Sequence, residues 1–176
     1  MENGIKKILR DKYGLFEKDI EILLEKFTKF SVPKREIILQ ERQTDHYIYF
    51  VEKGIVKSTI LREGREFIIF FALENDVPLS SPNLTESRQS LYTLEAVDTC
   101  ILWRISRKDL ATSFKDSLNL SNWGRMILQE WLTSSAFYFS SIHWMSKKEQ
   151  YQYLLKEMPK LIQRLSMRDL SAWQIG

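Results

Sequence analysis

The stretch Tyr47-Ile-Tyr-Phe-Val-Glu-Lys-Gly-Ile-Val56 decides the fold, because two runs of β-forming residues flank a glycine at position 54. Aromatic and β-branched residues are typical of strands, and glycine accepts the positive φ that a tight turn needs. Such runs recur between Ile37 and Ile105, at 37–39, 47–51, 55–61, 67–73, 91–97 and 101–105. The long intervening helices that a parallel sheet requires are missing. The pattern therefore predicts an antiparallel sandwich or barrel.

Helical periodicity appears on both sides of this segment. Leu15 to Phe30 carries apolar residues at three-to-four spacing, which predicts a helix. Leu120 to Met145 contains no proline and is apolar on a wide face, which predicts a long helix. Ser146-Lys-Lys-Glu149 has the form of a capping box, and Pro159 ends the helix that it opens. Ser166 to Gly176 predicts a further short helix, with the glycine in a positive-φ turn.

The amino-acid composition indicates the cellular compartment of the protein and argues against a metal site. The chain has 176 residues, of which 44% are apolar and 28% charged, as in soluble globular proteins. One cysteine indicates a reducing compartment, and no signal core or membrane span is visible, so we expect a cytoplasmic protein with no membrane partner. Two histidines and one cysteine are too few for a structural zinc site, and no strand-spaced His/Glu cluster is present. We therefore predict no metal, no cofactor, no catalytic residues and no enzyme.

The long helix carries two apolar stripes, one with Ile127, Trp131, Ser134 and Tyr138 and the other with Leu128, Leu132, Ser135, Phe139 and Ile142. It is too long to bury all of this surface on one small β domain, so one stripe can pack on its own domain while the other meets a partner. Steps of four and three residues suit a coiled-coil-like seam. The sequence therefore predicts a homodimer whose interface contains Ile127, Trp131, Ser134 and Tyr138. The alternative is a monomeric helix that is wholly buried in its own fold.

Excess positive charge lies at the C-terminal end. Residues 146–176 contain six basic and three acidic residues, a net charge of +3, and the remainder of the chain is balanced. Such a distribution is expected where a chain meets a polyanion, although a solvated lysine-rich face is the alternative. The candidate contacts to DNA phosphates are Lys147, Lys148, Arg164 and Arg168.

Together these features resemble the Crp/Fnr family of bacterial transcription regulators. Residues 47–56 resemble the family's strand-glycine-strand motif, and Glu95-Ala-Val-Asp-Thr-Cys-Ile-Leu-Trp-Arg-Ile-Ser106 resembles the run that closes its β-roll. Residues 149–165 are similar to the helix that leads into the DNA-binding domain in the branch typical of Bacteroidetes. Residues 167–176 resemble the helix that precedes the recognition helix. The order of these motifs carries the resemblance.

The resemblance implies an α+β architecture. It consists of N-terminal helices, an antiparallel β-roll or jelly roll like a cyclic-nucleotide-binding domain, a long dimerisation helix and a partial helical DNA-binding domain. The expected divisions are an effector domain at 1–116, the dimerisation helix at 117–145 and an incomplete winged helix-turn-helix at 146–176. The sequence stops where a helix-turn-helix enters its second helix.

The resemblance also implies an effector site between the strands, but this chain departs from the family's pattern there. Cyclic-nucleotide binders use a Gly-rich loop, a Glu and an Arg-Ser pair, whereas Asn75, Ser80 and Ser90 stand at the first Gly, the Glu and the Arg. We therefore expect an unknown small-molecule effector other than cyclic AMP. The candidate effector-binding residues are Asn75, Ser80, Arg88, Ser90, Ser134 and Ser135. The serines at 134 and 135 have an alternative role, close approach of two helices.

Two hypotheses about function follow. In the first, the roll senses an effector, and the dimer helix couples it to a DNA-binding head. Base recognition would then come from a helix after Gly176, so residues 1–176 alone would bind DNA weakly and without sequence preference. In the second, the chain is a ligand- or protein-binding β-roll module with no DNA-binding activity. The coding sequence beyond Gly176 would distinguish the two.

Overall fold

A computed structural model describes residues 4–173, so the turn predicted at Gly176 lies outside the described residues. The helices are α1 (Gly4–Asp11), α2 (Glu17–Leu24), α3 (Arg107–Asp116), α4 (Leu118–Ser140), α5 (Lys147–Glu157), α6 (Pro159–Ile162) and α7 (Met167–Trp173). The strands are β1 (Thr28–Val32), β2 (Ile37–Leu39), β3 (Thr44–Asp45), β4 (Tyr47–Lys53), β5 (Val56–Arg62), β6 (Arg65–Ala72), β7 (Arg88–Gln89), β8 (Thr93–Ala96) and β9 (Cys100–Ser106). A short 3₁₀ turn, Ile142–Trp144, separates α4 from α5.

The strands form an antiparallel β-roll. Within residues 4–173 they pair as one sheet in the order β1-β9-β4, a second in the order β2-β8-β5-β6, and a short ribbon of β3 and β7. Side chains from the two larger sheets, such as Val51 and Leu94, share one hydrophobic interior. The predicted α+β architecture, with N-terminal helices, an antiparallel roll and a long helix, is therefore confirmed.

Strand β4 is buried on both faces, which explains its nearly continuous apolar sequence. Tyr49 and Val51 point into the roll, and Ile48 and Phe50 belong to the core beneath the helices. Successive residues of a strand face opposite sides of the sheet, so one strand serves both cores. Phe50 stacks on Trp123 of α4 with ring centroids 5.7 Å apart. This contact fixes the long helix against the outside of the roll.

Gly54, in the turn between β4 and β5, is required for two reasons. Its φ is +101°, a conformation that side chains rarely adopt. A Cβ atom there would also lie 2.6 Å from the Cys100 sulfur. The strand-glycine-strand reading of residues 47–56 therefore has a physical basis in this turn.

The structure corrects two sequence-based helix boundaries and adds two short strands. The helix predicted from Leu15 to Phe30 ends at Leu24, because residues 28–32 pair with β9 as strand β1. The short strands β3 and β7 were not predicted. The long helix ends at Ser140 rather than Met145.

The C-terminal helices pack on the roll rather than standing apart from it. Leu154, Leu161 and Trp173 share a hydrophobic cluster with Ile55 and Ile68 of the roll. The capping box predicted at Ser146 opens α5, with the Ser146 hydroxyl accepting from the Glu149 N–H and the Glu149 carboxylate accepting from the Ser146 N–H. No helix in the described part of the chain is long and apolar enough to cross a membrane.

Candidate functional site

A cavity of about 140 Å³ lies between strand β6, the loop after it and helix α4. Its apolar wall includes Phe70, Phe71, Val77, Leu79, Ile127 and Trp131. The sequence places it there because β6 turns its alternate side chains toward α4, and because Ile127 and Trp131 lie one helical turn apart on the same face of that helix. We call this space the roll–helix cavity.

The polar lining of the roll–helix cavity is acidic. Its polar members are Ser58, Asp76, Glu130 and Ser134, and within residues 4–173 no arginine or lysine lines it. An adjoining open cleft of about 630 Å³ shares Asp76, Glu130 and Ser134, so these residues lie at the mouth of the cavity. The cavity itself therefore presents apolar walls and two carboxylates, whereas the basic residues Lys12 and Arg125 line the adjoining cleft.

Lys12 of the N-terminal region neutralises part of this charge. Its ammonium lies 3.1 Å from the Glu130 carboxylate and 3.5 Å from that of Asp76. It also donates to the Asn75 carbonyl at 3.2 Å. The Tyr13 hydroxyl donates to Glu130 at 3.2 Å. Lys12 is thus already occupied by acceptors of the protein.

Burial and charge perturb the titration of this cluster. Burial lowers the pKa of Lys12, but its interactions with Tyr13, Glu130 and Asp76 outweigh that effect and leave it raised. Burial raises the pKa of Tyr13 to about 12, so this residue stays protonated as a donor. Burial likewise raises the pKa of Asp76, more than the Leu73 N–H and Lys12 lower it.

The structure brings only part of the predicted effector set to the cavity. Ser134 lines it, and Asn75, at a φ of +75°, directly precedes Asp76 in the loop. Arg88 is exposed and pairs with Glu86.

The hydroxyls of two other predicted serines bond to the main chain. The Ser90 hydroxyl bonds to the Tyr92 carbonyl, and that of Ser135 donates to the Trp131 carbonyl at 2.8 Å. Neither serine is among the residues that line the cavity.

Ser80 belongs to a buried ion-pair cluster beneath the loop. The Arg107 side chain is 1% exposed and donates to the Asp45 carboxylate at 2.6 Å and to the Ser80 hydroxyl oxygen at 3.1 Å. The Ser80 hydroxyl in turn donates to Asp45, and Arg107 also bonds to the Asn83 carbonyl. Arg107 therefore ties the loop to β3 and α3, and its guanidinium is not available to a ligand.

The structure shows which face of the long helix is covered by the chain's own roll. Ile127 and Tyr138 are buried against the chain's own roll, and Trp131 packs on Phe70 with centroids 6.2 Å apart. Two of the four predicted interface residues are therefore already covered, because the apolar face of α4 covers β6. The large apolar side chains of α4 that are exposed in this structure include Leu132 and Phe139, at 63% and 62% exposure, and also Leu118 and Phe137.

The predicted phosphate contacts divide into two groups. Lys147 and Lys148 are exposed at the start of α5. Arg164 is held by Glu74 at 2.8 Å and by Asp98. Arg168 is largely exposed, 3.8 Å from Glu66.

Most of the cavity lining was not identified from the sequence as a ligand site. The spacing of Ile127 and Trp131 predicts a dimer seam, because a helical stripe does not show what covers it. Glu130 stands four residues before Ser134 and so lies on the same helix face, which is the sequence signal for its place in the lining. Asp76 directly follows Asn75, a predicted effector-binding residue, in the loop after β6, and this position is the sequence signal for its place in the lining.

Comparison with known proteins agrees with this architecture. Residues 29–117 match the model of the cyclic nucleotide-binding domain, and the chain belongs to this family. A search of curated proteins finds no significant match.

Solved structures extend the likeness of the fold beyond the matched domain. FixK2 from Bradyrhizobium japonicum superposes with a TM-score of 0.74 at 22% identity, covering 84% of this chain and 77% of that one. The c-di-GMP responsive global regulator CLP from Xanthomonas campestris gives 0.71 at 16%, covering 90% and 84%. A putative transcriptional regulator of the crp/fnr family from Eubacterium rectale gives 0.71 at 19%, covering 94% and 78%.

Proposed function

We propose that this chain is the sensing part of a Crp/Fnr-type transcriptional regulator, together with the first helices of its DNA-binding head. One observation carries the proposal: the likeness to regulators of this type covers 84–94% of the chain, whereas the family domain accounts only for residues 29–117. The proposed divisions are an effector domain at 1–116, a dimerisation helix at 117–145 and a partial head at 146–176. We also propose that the protein is located in the cytoplasm.

In this proposal the effector is not cyclic AMP. A cyclic phosphate needs convergent donors or a guanidinium, and the roll–helix cavity offers two carboxylates instead. Lys12 is occupied by those carboxylates. Calorimetric titration with cyclic AMP should show no binding at micromolar concentrations, and micromolar affinity would contradict this part of the proposal.

The proposed dimer forms through the outer stripe of α4. Leu132 and Phe139 are seven residues apart, and Ala136 between them completes a four-three step, as in a coiled-coil seam. A second copy of the chain is the partner that such a seam suits, since the same stripe on both helices is self-complementary. The buried stripe, which contains Ile127 and Tyr138, packs α4 on the β-roll of the same chain.

The dimer is tested by light scattering on the wild type and on Leu132→Asp and Phe139→Asp. We expect a dimeric wild type and monomeric variants, because each substitution places an unpaired charge in the seam. Leu61→Asp is the matched control, since Leu61 is as exposed as Leu132 (63% each) but lies on β5. A monomeric wild type, or a dimer that persists in both α4 variants, would remove this interface from the proposal.

The DNA-binding part is tested by fluorescence anisotropy with a mixed pool of DNA sequences, at low and at physiological salt. We expect residues 1–176 to bind weakly, with a steep salt dependence and no sequence preference, because exposed lysines such as Lys147 and Lys148 contact phosphates only. Strong selection of one sequence would place the reading head within this chain. Loss of all binding at low salt would favour the ligand- or protein-binding module.

A further inference from the structure

We propose that the turn Glu74-Asn75-Asp76 couples the mouth of the roll–helix cavity to the C-terminal helices α6 and α7. We call these three residues the acidic turn. The inference rests on the proposed function and deepens it, since it concerns how the state of the effector cavity reaches the proposed DNA-binding head. The contacts at the two ends of the acidic turn and its backbone geometry carry the inference.

One end of the acidic turn lies at the mouth of the cavity. Asp76 lines both the cavity and the adjoining cleft, and Lys12 lines the cleft. The Lys12 ammonium donates to the Asn75 carbonyl at 3.2 Å and lies 3.5 Å from the Asp76 carboxylate. It also lies 3.1 Å from the carboxylate of Glu130 on α4. An occupant that contacts Lys12 or Asp76 therefore competes with the contacts that hold this end of the turn.

The other end of the acidic turn holds the C-terminal helices. Arg164 stands between α6 and α7, and its guanidinium donates to the Glu74 carboxylate at 2.8 Å and to that of Asp98 at 2.8 Å. The Glu74 oxygen that accepts from Arg164 also accepts from the Gly54 N–H at 3.0 Å. Leu73, directly before the turn, packs against the apolar cluster that the roll shares with the C-terminal helices. A shift of the turn at this end therefore loosens the hold on α6 and α7.

The backbone of the acidic turn links its two ends. The Asp76 carboxylate accepts from the Leu73 N–H, and the Asp76 N–H donates to the Leu73 carbonyl. Asn75 has a φ of +75°, which residues other than glycine seldom adopt. Such a conformation persists when the surrounding contacts hold it. Loss of the Lys12 contacts therefore favours relaxation at Asn75, and a changed backbone at this residue redirects the side chain of Glu74.

The test is amide hydrogen exchange of the chain, in which α7 is compared with strand β9 of the roll. The contacts of Lys12 described above all lie outside α5–α7, so an effect of Lys12→Met on α7 has to be transmitted. We expect exchange in α7 to accelerate by about two- to thirtyfold, the range of couplings through hydrogen-bonded and packed networks, with little change in β9. Arg164→Gln should accelerate α7 at least as much, because it removes the contact at the other end directly.

The double variant Lys12→Met/Arg164→Gln tests whether the two residues act through one route. Once Arg164 no longer binds Glu74, the acidic turn has lost its hold on α7. The free energies of the two single changes should therefore not add in the exchange of α7, as is expected for residues of one network.

Two control variants separate the acidic turn from other routes. Glu130→Gln leaves the contacts of Lys12 with the acidic turn in place, so the exchange of α7 should stay within about twofold of the wild type. Lys29→Met is the matched control, because Lys29 is also a partly exposed lysine in an ion pair, 2.7 Å from Glu52, but Glu52 is not part of the acidic turn. It should leave α7 and β9 unchanged.

A second variant distinguishes coupling from a general loss of stability. If Lys12→Met accelerates β9 as much as α7, the decision passes to Asp76→Asn, which removes the charge that faces Lys12 but keeps an oxygen that can accept from the Leu73 N–H. We expect this variant to accelerate α7 more than β9. Equal acceleration of the two elements in both variants would overturn the inference.

Other contrary results also overturn the inference. Exchange of α7 that is unchanged in Lys12→Met or in Arg164→Gln would show that the acidic turn does not hold the C-terminal helices from the cavity side. An effect of Glu130→Gln as large as that of Lys12→Met would place the route in α4, and additive free energies in the double variant would exclude a shared route. Since exchange is measured without effector or DNA, the coupling can fail while the dimer and DNA-binding tests of the regulator succeed, and the reverse.

Discussion

Lys57 is a buried lysine on strand β5 that we expect to hold helix α7 on the roll. Its side chain is 3% exposed, and its ammonium lies 2.9 Å from Asp169 of α7 and 3.2 and 3.3 Å from Glu66 and Glu95 of the roll. Burial lowers the pKa of Lys57, but the three carboxylates outweigh that effect and raise it overall. Replacing Lys57 with methionine keeps an unbranched side chain that is one atom shorter, and it leaves three carboxylates without their cation.

The expected cost follows from burial. Removing one partner of a buried ion pair costs about 3–5 kcal/mol. We expect about 3 kcal/mol here, because the Glu66 and Glu95 side chains are about one fifth exposed and regain contact with water. For a chain of this length, that loss lowers Tm by about 6–12 °C.

The assay is thermal unfolding of the wild type, Lys57→Met, Asp169→Asn and the double variant, with hydrogen exchange to locate the loss. Removing both charges should cost about 1–3 kcal/mol less than the sum of the single changes, because the charges interact directly. Exchange should accelerate most in α7. Lys53→Met is the matched control, since Lys53 is exposed at the end of β4, and it should change stability by less than about 0.5 kcal/mol. Additive effects, or a Lys57→Met protein as stable as the control, would refute this role.

Three further predictions concern local stability. Gly54→Ala should cost several times more than Gly64→Ala in thermal unfolding, because both have a positive φ but only the Gly54 Cβ would meet Cys100, and equal losses would contradict the clash. Ser146→Ala should cost about 0.5–2 kcal/mol and speed hydrogen exchange in α5; unchanged exchange would contradict the cap. Burial raises the pKa of Asp169, but Ser166 and Lys57 outweigh it and hold the pKa below its usual value of 3.8. This stabilisation is therefore present above about pH 4 and is lost as the pH falls further. The packing of α7 should loosen in acid in the wild type, whereas Asp169→Asn should not show this dependence on pH.

Local patterns predicted most of the fold. Strands β4, β5, β6, β8 and β9 lie where runs of β-forming residues occur, because each strand carries its own periodicity. The strands that local patterns did not predict form by pairing with residues that are distant in the sequence. Phe27 and Phe30 continue the three-residue spacing after Leu24 of α2. Residues 28–32 nevertheless form a strand, because their backbone pairs with β9 about seventy residues later. The two-residue strands β3 and β7 are too short to show any period.

The candidate site was less predictable, because it depends on which surfaces meet. Spacing on α4 showed two apolar stripes, but it could not show which stripe faces β6, and the choice determines whether Trp131 lines a cavity or a dimer seam. The serines that stand at ligand positions of the family pattern were found from the sequence. Their partners were not, since the pairing of Ser80 with Asp45 and Arg107 joins residues 27 and 35 positions apart.

The net charge of the C-terminal segment likewise does not show which of its basic side chains are already paired within the protein. Its net charge of +3 counts Arg164, but Glu74 and Asp98 of the roll neutralise that guanidinium. Arg164 would have to break both ion pairs to reach a phosphate, whereas Lys147 and Lys148 are already exposed at the start of α5. If the proposed DNA-binding head contacts DNA in this arrangement, the first phosphate contacts should therefore come from these two lysines, whereas Arg164 ties the C-terminal helices to Glu74 and Asp98.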